Sequence, residues 1–277
     1  MKKIIVPIDF TEYSEHALQT AVSLAKKNNL QITLITMIKN PSSFSEETIS
    51  FSKDNFLSIQ QAEAKMEVFV KQELLKDIKV DYLIKHYRIF SELGDFANTV
   101  NGDLIIMGTH GTSNVEDYFL GADTEKAVRT TDIPVIVVKE AEIDLDTKNT
   151  LFVSNYRPNA IAAYQKAMQI FKGLNITPTL LFVNKFGDKY LSAIEVKERI
   201  KIFLLAADGN LDNLENFKSI DSKSVGRGTH TFAEDNNIGF IAMSTQGKTS
   251  VGKFLKKSEK FDISDKNNYP IMSVKMA

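Results

Sequence analysis

The chain of 277 residues contains no cysteine and no tryptophan, and its charges nearly cancel. Without cysteine it has no disulfide scaffold, no thiol nucleophile, no Cys-ligated zinc site and no Cys-held iron–sulfur cluster. Its 34 basic and 35 acidic residues give a formal net charge of −1, which argues against a broad nucleic-acid-binding surface. The rest of the composition, 43% hydrophobic and 25% charged, is that of an ordinary globular protein.

Long apolar runs are also missing. The longest, such as 202–207 and 133–138, have about six residues, whereas a membrane-spanning helix needs roughly 20. The amino-terminal stretch is apolar only from Ile4 to Ile8, which is shorter than the roughly 7–15 residues of a secretory signal core. We therefore expect no membrane partner and a cytoplasmic location.

What the sequence does contain is an alternation of short β-branched runs with longer amphipathic stretches. The strand candidates are nearly continuous apolar runs, which is typical of a parallel sheet covered by helices on both faces. In the candidate helix 13–28, the residues Ala17, Ala21, Leu24 and Ala25 recur on one face. The first half is predicted to contain strands at 3–8, 31–38, 80–89, 103–108 and 134–138, and helices at 13–28, 55–76, 91–101 and 121–131.

This pattern repeats once at the scale of a whole domain. Residues 95–97 and 104–107 align with 231–233 and 240–243 at an offset of 136, and Asp9 aligns with Asn155 at an offset of 146. A repeat this long indicates a duplicated domain, because solenoid repeats run at about 20–50 residues. We predict two tandem α/β domains at 1–139 and 150–277, each with a five-stranded parallel sheet; strands at 150–155 and 175–184 open the second.

A glycine cluster follows the fourth predicted strand. Gly108, Gly111 and Gly121 fit the spacing G-x2-G-x9-G and lead into a predicted helix. Glycines let backbone N–H groups turn toward an anion, and a helix amino terminus adds free amides and a positive dipole end. Three glycines are also typical of ordinary turns, but their place between a strand and a helix favours a phosphate site.

These segments together resemble the universal stress protein family. The matching residues are Ile5–Asp9, Met107–Gly111, Gly121 with Thr124–Lys126, and Ile133–Val138. The resemblance extends over nearly the whole chain as two copies, so the chain looks like a tandem member. It implies a flavodoxin-like (HUP-type) three-layer α/β/α fold for each copy.

The resemblance also implies a nucleotide site in the first copy, for ATP or for ADP or AMP, with or without Mg²⁺. Asp9 with Pro7 and Ile8 would contact the adenine and ribose, and Met37 would line the base. Met107 and Gly108 would lie near the sugar, while the backbone amides of Gly111, Gly121, Ala122 and Asp123 would face the phosphates. ATP-binding members have Ser or Thr after the last glycine, where this chain has Ala122.

The second copy departs from the motif at most of these positions. Its equivalent loop is Met243–Gly247, Lys257 stands at the last glycine, and Asn155 replaces Asp9. We therefore predict that this half is degenerate and does not bind ATP in the family's manner. A competing interpretation is a P-loop, because Ala242–Thr249 differs from the Walker A pattern by one residue, Ala242 in place of the first glycine.

No pattern in the sequence indicates an enzyme. The four histidines are scattered without metal-ligand spacing, and there is no G-x-S-x-G nucleophile motif. The sequence thus favours a stress-response protein that binds an adenine nucleotide, without a catalytic site and with at most slow ATP hydrolysis. The alternative is a nucleotide-independent interaction or scaffold protein. The resemblance further implies an intramolecular pseudo-dimer of the two halves through 134–138 and 270–274, a possible homodimer, and an unidentified protein partner.

Overall fold

The chain folds as alternating strands and helices. The computed structural model describes residues 1–39, 53–87, 92–108, 122–138, 149–245 and 269–276. The elements of the first half are β1 (Lys3–Pro7), α1 (Glu12–Asn28), β2 (Gln31–Lys39), α2 (Lys53–Phe69), β3 (Val80–Tyr87), α3 (Leu93–Thr99), β4 (Leu104–Gly108), α4 (Ala122–Thr130) and β5 (Val135–Val138). Those of the second half are β6 (Thr150–Val153), α5 (Ile161–Gly173), β7 (Thr179–Lys185), α6 (Ala193–Asp208), β8 (Phe217–Ser222), α7 (Val225–Asp235), β9 (Phe240–Thr245) and β10 (Ile271–Lys275).

Two predicted boundaries were wrong. The helix expected at 55–76 ends at Phe69, and a short 3-10 turn at Glu73–Leu75 replaces its last part. Asp77 then takes a left-handed backbone conformation, φ 66°, which reverses the chain before β3. The strand expected from 175 begins only at Thr179, because Asn175 is also left-handed, φ 56°, and the chain is still turning away from α5 there.

All ten strands form a single sheet, in the order β3-β2-β1-β4-β5-β10-β9-β6-β7-β8. Within each half the strands are parallel, which confirms the predicted α/β class. The two halves meet at an antiparallel pair, in which Met272 of β10 lies opposite Ile136 of β5. The sheet is therefore continuous across the chain, with the strands of one half pointing opposite to those of the other.

Each face of the sheet is covered by its own set of helices. Buried residues of α1, α2, α5 and α6 pack on one face, and those of α3, α4 and α7 pack on the other. The predicted apolar face of α1 is confirmed, since Ala17, Ala21, Leu24 and Ala25 are all buried. This layering leaves the ends of the strands as the places where a ligand can reach the sheet.

The second half has an aromatic core on the α5–α6 face. The Phe152 ring lies edge-on to Tyr164 and Phe171, with ring centroids 5.8 and 6.5 Å apart. Tyr164 is fully buried as a residue, yet its hydroxyl donates to Asp208 at 2.7 Å and accepts from Asn213 at 3.0 Å. Burial and the adjacent Asp208 raise the pKa of Tyr164, and burial raises the pKa of Tyr156 well above its usual value.

These two tyrosines predict a loss of stability at alkaline pH. Both stay protonated in the fold, whereas in the unfolded chain they ionise near pH 10, so their contribution is complete below about pH 10 and is lost as the pH rises above it. Each should lower the free energy of unfolding by about 1.4 kcal/mol per pH unit. Urea unfolding from pH 9 to 11.5 measures the slope, and Tyr156→Phe should reduce it by one tyrosine's share. An unchanged slope in that variant would contradict the assignment.

Candidate functional site

The carboxyl ends of β1 and β4 form the centre of the candidate site. β1 pairs with β2 on one side and with β4 on the other, so the order of strands reverses between β1 and β4. Connections leave such a point toward opposite faces and open a crevice where ligands of open α/β sheets bind. The register Ile5↔Ile105 brings Ile8 level with Gly108 at this edge.

The turn from β1 into α1 holds Asp9 at the mouth of the crevice. The Asp9 Oδ1 atom accepts from the Thr11 backbone N–H at 3.0 Å and also from the Thr11 hydroxyl. Between them, Phe10 adopts a left-handed backbone, φ 62°, and Thr11 then caps the first turn of α1. The Asp9 side chain is exposed, so its second oxygen, Oδ2, remains accessible to a ligand.

Gly108 permits close contact between β4 and the start of α1. A Cβ atom at this position would lie 2.6 Å from the Tyr13 carbonyl oxygen and 2.8 Å from the Tyr13 Cβ. No side chain fits there without moving backbone, so only glycine allows α1 to approach the strand end. The predicted site glycine thus also has a packing role that the sequence did not reveal.

The first turn of α4 is fixed to the same strand end. The buried Thr124 hydroxyl donates to the Gly108 carbonyl oxygen at 2.9 Å. This bond holds the amino end of α4, which begins at Ala122, beside the crevice. The first backbone N–H groups of a helix have no partner within it, so they and the helix dipole suit an anion.

The remaining predicted site residues lie around this edge on both faces of the sheet. Ile8 is buried on the α1 face. Met37 and Met107 belong to the apolar cluster on the α3–α4 face, with Met107 buried and Met37 partly buried. Pro7 ends β1 and is half-buried. Gly111 and Gly121 lie outside the described residues, as do the side chains of Ala122 and Asp123.

Replacing Gly108 by alanine should destabilise the fold. The added methyl group would push the first turn of α1 away from β4, and overpacking of this kind costs about 1–3 kcal/mol. The matched control is Gly173→Ala in α5, where the added atom would meet the Met1 Cβ at 2.9 Å but no backbone atom closer than the Met1 N at 3.5 Å, so that only Met1, which precedes β1, has to shift. We expect the control to change the free energy of unfolding by no more than about 1 kcal/mol, since alanine is the better helix former. Equal losses in the two variants would contradict this account.

The equivalent edge of the second half has different chemistry. Ser244 occupies the position of Gly108, and its hydroxyl donates to the Ser154 hydroxyl at 2.8 Å across the ends of β9 and β6. The turn after β6 keeps the shape of its counterpart, because the Asn155 side chain accepts from the Arg157 N–H at 3.0 Å and Tyr156 is left-handed, φ 47°. The turn after β6 therefore keeps the backbone shape of the turn after β1, while Ser244 replaces the glycine at the end of the neighbouring strand.

A polar clamp holds the segment that follows β7. The buried Asn184 amide donates to the Leu191 carbonyl oxygen at 2.9 Å and accepts from the Leu191 N–H at 3.1 Å. It also donates to Asp221 at 3.0 Å, and Asp221 accepts from the Tyr190 hydroxyl at 2.9 Å. This clamp fixes residues 186–191 beside the carboxyl ends of β7 and β8.

The P-loop interpretation of the second half does not fit the fold. Residues Ala242–Thr245 of the motif belong to β9 and pair in register with Met272–Lys275 of β10. A P-loop needs these residues as a loop whose amides face a phosphate, but here they are strand. The rest of the motif, 246–249, lies outside the described residues.

Within the described ranges, no group of three or more His, Asp or Glu side chains could hold a metal ion. In the same part of the chain, no helix combines the length and apolar character needed to cross a membrane.

The fold defines a doubly wound α/β protein whose strand order reverses between β1 and β4, which leaves a crevice at their carboxyl ends. The model of the universal stress protein family matches residues 1–139, and the chain belongs to that family. A universal stress protein of Staphylococcus haemolyticus is 27% identical over 165 residues, which cover 56% of this chain and 95% of that protein.

Solved structures agree on the fold. A universal stress protein from Archaeoglobus fulgidus is 18% identical, covers 99% of this chain and 96% of its own, and has a TM-score of 0.67. A universal stress protein from Pseudomonas aeruginosa is 14% identical with a TM-score of 0.58, covering 100% of this chain and 94% of its own. At these identities the likeness shows the architecture alone. The predicted resemblance to the family is confirmed by the family model and by the relative from Staphylococcus haemolyticus.

Three residues of the site were not assigned a role from sequence. Thr11 fixes Asp9, Tyr13 fits against Gly108, and Thr124 ties α4 to β4. A threonine just before a helix is a recognisable capping signal, so the role of Thr11 could have been found. Tyr13 of α1 and Thr124 of α4 both contact Gly108 at the end of β4. These contacts join separate elements, so no local sequence pattern predicts them.

Proposed function

We propose that the first half of the chain binds an adenine nucleotide, ATP or else ADP or AMP, at the carboxyl ends of β1 and β4. The observation that carries the proposal is the meeting of three features at one edge of the sheet. These are the exposed Asp9 carboxylate, the close approach that Gly108 allows, and the amino end of α4 held there by Thr124. They coincide with the G-x2-G-x9-G spacing of the sequence.

Each part of the crevice suits one part of the nucleotide. Asp9 Oδ2 accepts hydrogen bonds, as a ribose hydroxyl requires, and Pro7 and Ile8 continue the wall of the crevice from β1. Met37 and Met107 offer apolar, polarisable surface for the base and sugar. Amides of Gly111, Gly121, Ala122 and Asp123 serve the phosphates, and Mg²⁺ would bind chiefly through the phosphate oxygens.

The second half is assigned a structural role. Ser244 fills the position of Gly108, and the Asn184 clamp holds residues 186–191 beside the strand ends. We assign residues 1–139 and 150–277 as the two domains and their antiparallel β5–β10 contact as an intramolecular pseudo-dimer. Pairing of two chains into a homodimer and binding of a further protein belong to the same proposal.

The proposed role is that of an intracellular stress-response protein, not an enzyme. Family membership supports the stress-response role, and the sequence offers no positioned nucleophile or general base. The alternative, a scaffold that binds no nucleotide, is favoured by the loss of Gly108's counterpart in the second half. In the first half, the departure that points the same way is Ala122, which stands where ATP-binding members have Ser or Thr.

Nucleotide titration distinguishes a nucleotide-binding protein from a scaffold. A fluorescent ATP analogue should bind the full chain at one high-affinity site, and unlabelled ATP, ADP or AMP should displace it from that site. Gly111→Val should abolish this binding, because a side chain blocks the approach of the phosphates. Gly247→Val, at the equivalent glycine of the second half, is the matched control and should leave it unchanged. No saturable binding to the unmodified chain would favour the scaffold, and equal loss in both variants would contradict the assignment of the site to the first half.

Ala122→Ser should tighten ATP binding. The substitution restores the hydroxyl that ATP-binding members have after the last glycine, and one hydrogen bond contributes about 0.5–1.5 kcal/mol, up to roughly tenfold in affinity. Ala193→Ser places the same group at the first position of α6 in the other half and serves as the control. Isothermal titration calorimetry measures both, and an unchanged ATP affinity in Ala122→Ser would contradict the assigned position of the phosphates.

A further inference from the structure

Two arginines lie at the carboxyl edge of the second half. Arg157 follows the turn after β6, and Arg199 lies on α6 with its guanidinium 5.5 Å above the Phe182 ring of β7. The register Val153↔Leu181 and the Ser154 N–H bond to the Leu181 carbonyl, 3.2 Å, bring the end of β6 level with Phe182. The turn bearing Arg157 and the ring beneath Arg199 are therefore neighbours at one edge.

Within the part of the chain that the structure describes, the positive charges of this pair are poorly compensated. Partial burial lowers the pKa of Arg199 from its usual value, and the charge of Arg157 lowers this pKa further, while Glu195 opposes both. The Glu195 carboxylate is itself engaged in capping α6, accepting from the Ser192 N–H at 2.7 Å and from its hydroxyl at 2.8 Å. Across the described residues, neither guanidinium makes a hydrogen bond or ion pair with the protein.

Two uncompensated arginines at one edge lower the stability of the fold unless a ligand of opposite charge binds them. Two like charges repel, and a partly desolvated guanidinium loses water contacts that no protein acceptor replaces here. Phe182 offsets part of this through a cation–π contact, which also restricts where the Arg199 side chain can lie. The first half does not carry the pair, since Thr11 stands at the position of Arg157.

We propose that Arg157 and Arg199 bind a phosphate group at the carboxyl edge of the second half, separate from the nucleotide site of the first. A phosphate dianion matches two positive charges, and the planar donors of arginine bind its oxygens in pairs. The Ser154 and Ser244 hydroxyls end the neighbouring strands β6 and β9 at the same edge and offer further polar contacts. The half that has lost its glycines thus keeps an anion site built from side chains instead of backbone.

Titration of the full chain with inorganic phosphate tests the proposal. The measurement uses Gly111→Val as background, so that any phosphate bound by the first half does not contribute. We expect saturable binding that weakens about tenfold or more in Arg157→Gln and in Arg199→Gln, and that weakens with added sodium chloride. Lys197→Gln removes one exposed positive charge from α6 and is the matched control, with an expected change of less than about twofold.

A second arm distinguishes the source of the phosphate. AMP and glycerol phosphate are titrated beside inorganic phosphate, and tighter binding of either identifies a phosphomonoester as the ligand. Tighter binding of free phosphate identifies the ion itself. Thermal unfolding at low ionic strength checks folding, since Arg157→Gln removes repulsion and should be no less stable than the parent. Absence of saturable binding in the parent, or equal weakening by Lys197→Gln, would overturn the proposal, whatever the outcome for ATP in the first half.

Discussion

Ile136→Asp is expected to lower the free energy of unfolding by about 4–5 kcal/mol or more. Ile136 is fully buried in β5 and lies opposite the fully buried Met272 of β10, at the contact between the two halves. A carboxylate there would lose its hydration without gaining a partner, which is among the most destabilising of single substitutions. Since whole domains are stable by only about 5–15 kcal/mol, the variant should be largely unfolded or split at this contact.

Urea unfolding followed by circular dichroism measures the effect, and limited proteolysis shows where the chain opens. Ile136→Val is the matched control, because it keeps the apolar surface and removes one methylene, at a cost of about 0.5–1.5 kcal/mol. If the halves unfold independently, Ile136→Asp should produce two transitions, with cleavage in one half before the other. A single transition at the parental midpoint would contradict the burial of this contact.

Phe152→Ala is expected to cost about 3–5 kcal/mol, the usual range for removing a buried phenylalanine. The ring is fully buried in β6 and packs edge-on against Tyr164 and Phe171, so its loss leaves a cavity walled by rigid aromatic groups. Rigid rings cannot move far into such a cavity, so we expect the loss of stability to be near the upper end of the range of about 3–5 kcal/mol. Loss of stability here should leave nucleotide binding by the first half intact wherever the chain is still folded.

The control for this experiment is Phe186→Ala. Phe186 also makes an aromatic contact, stacked on Tyr190 at 5.8 Å, but its side chain is 52% exposed. We expect a loss of less than about 1 kcal/mol, since little apolar surface is returned to water. Equilibrium urea unfolding of both variants gives the comparison, and similar losses in the two would argue against the aromatic core as the main source of stability in the second half.

Much of the fold could be predicted because its signals are local. Continuous apolar runs such as Leu104–Met107 predicted buried parallel strands, and the spacing of Ala17, Ala21 and Leu24 predicted the buried face of α1. The boundaries that failed, after Phe69 and before Thr179, lie next to left-handed residues. Asp77 and Asn175 tolerate that conformation, but nothing local requires it of them.

The candidate site was also only partly predictable from the sequence. Its glycines and Asp9 are visible as a spaced motif, whereas the reason for Gly108 emerges only when Tyr13 is seen against it. The arginine pair shows the same limit. Arg157 and Arg199 are 42 residues apart, and no sequence period connects them. They come to the same edge because β6 and β7 are parallel neighbours and Arg199 of α6 lies over Phe182 of β7.

The amino-acid sequence alone establishes that the chain has no thiol chemistry, that it carries one α/β pattern twice, and that one copy keeps three glycines of which the other has lost two. These properties can be read from the composition, from local residue patterns and from the comparison of the two halves of the sequence. The antiparallel direction of the β5–β10 pair, which makes the ten strands one sheet, became visible only in the folded structure, as did the serines and arginines at the second edge. Strand order and contacts between distant residues depend on how whole elements pack, and that packing is set by the free energy of the entire chain.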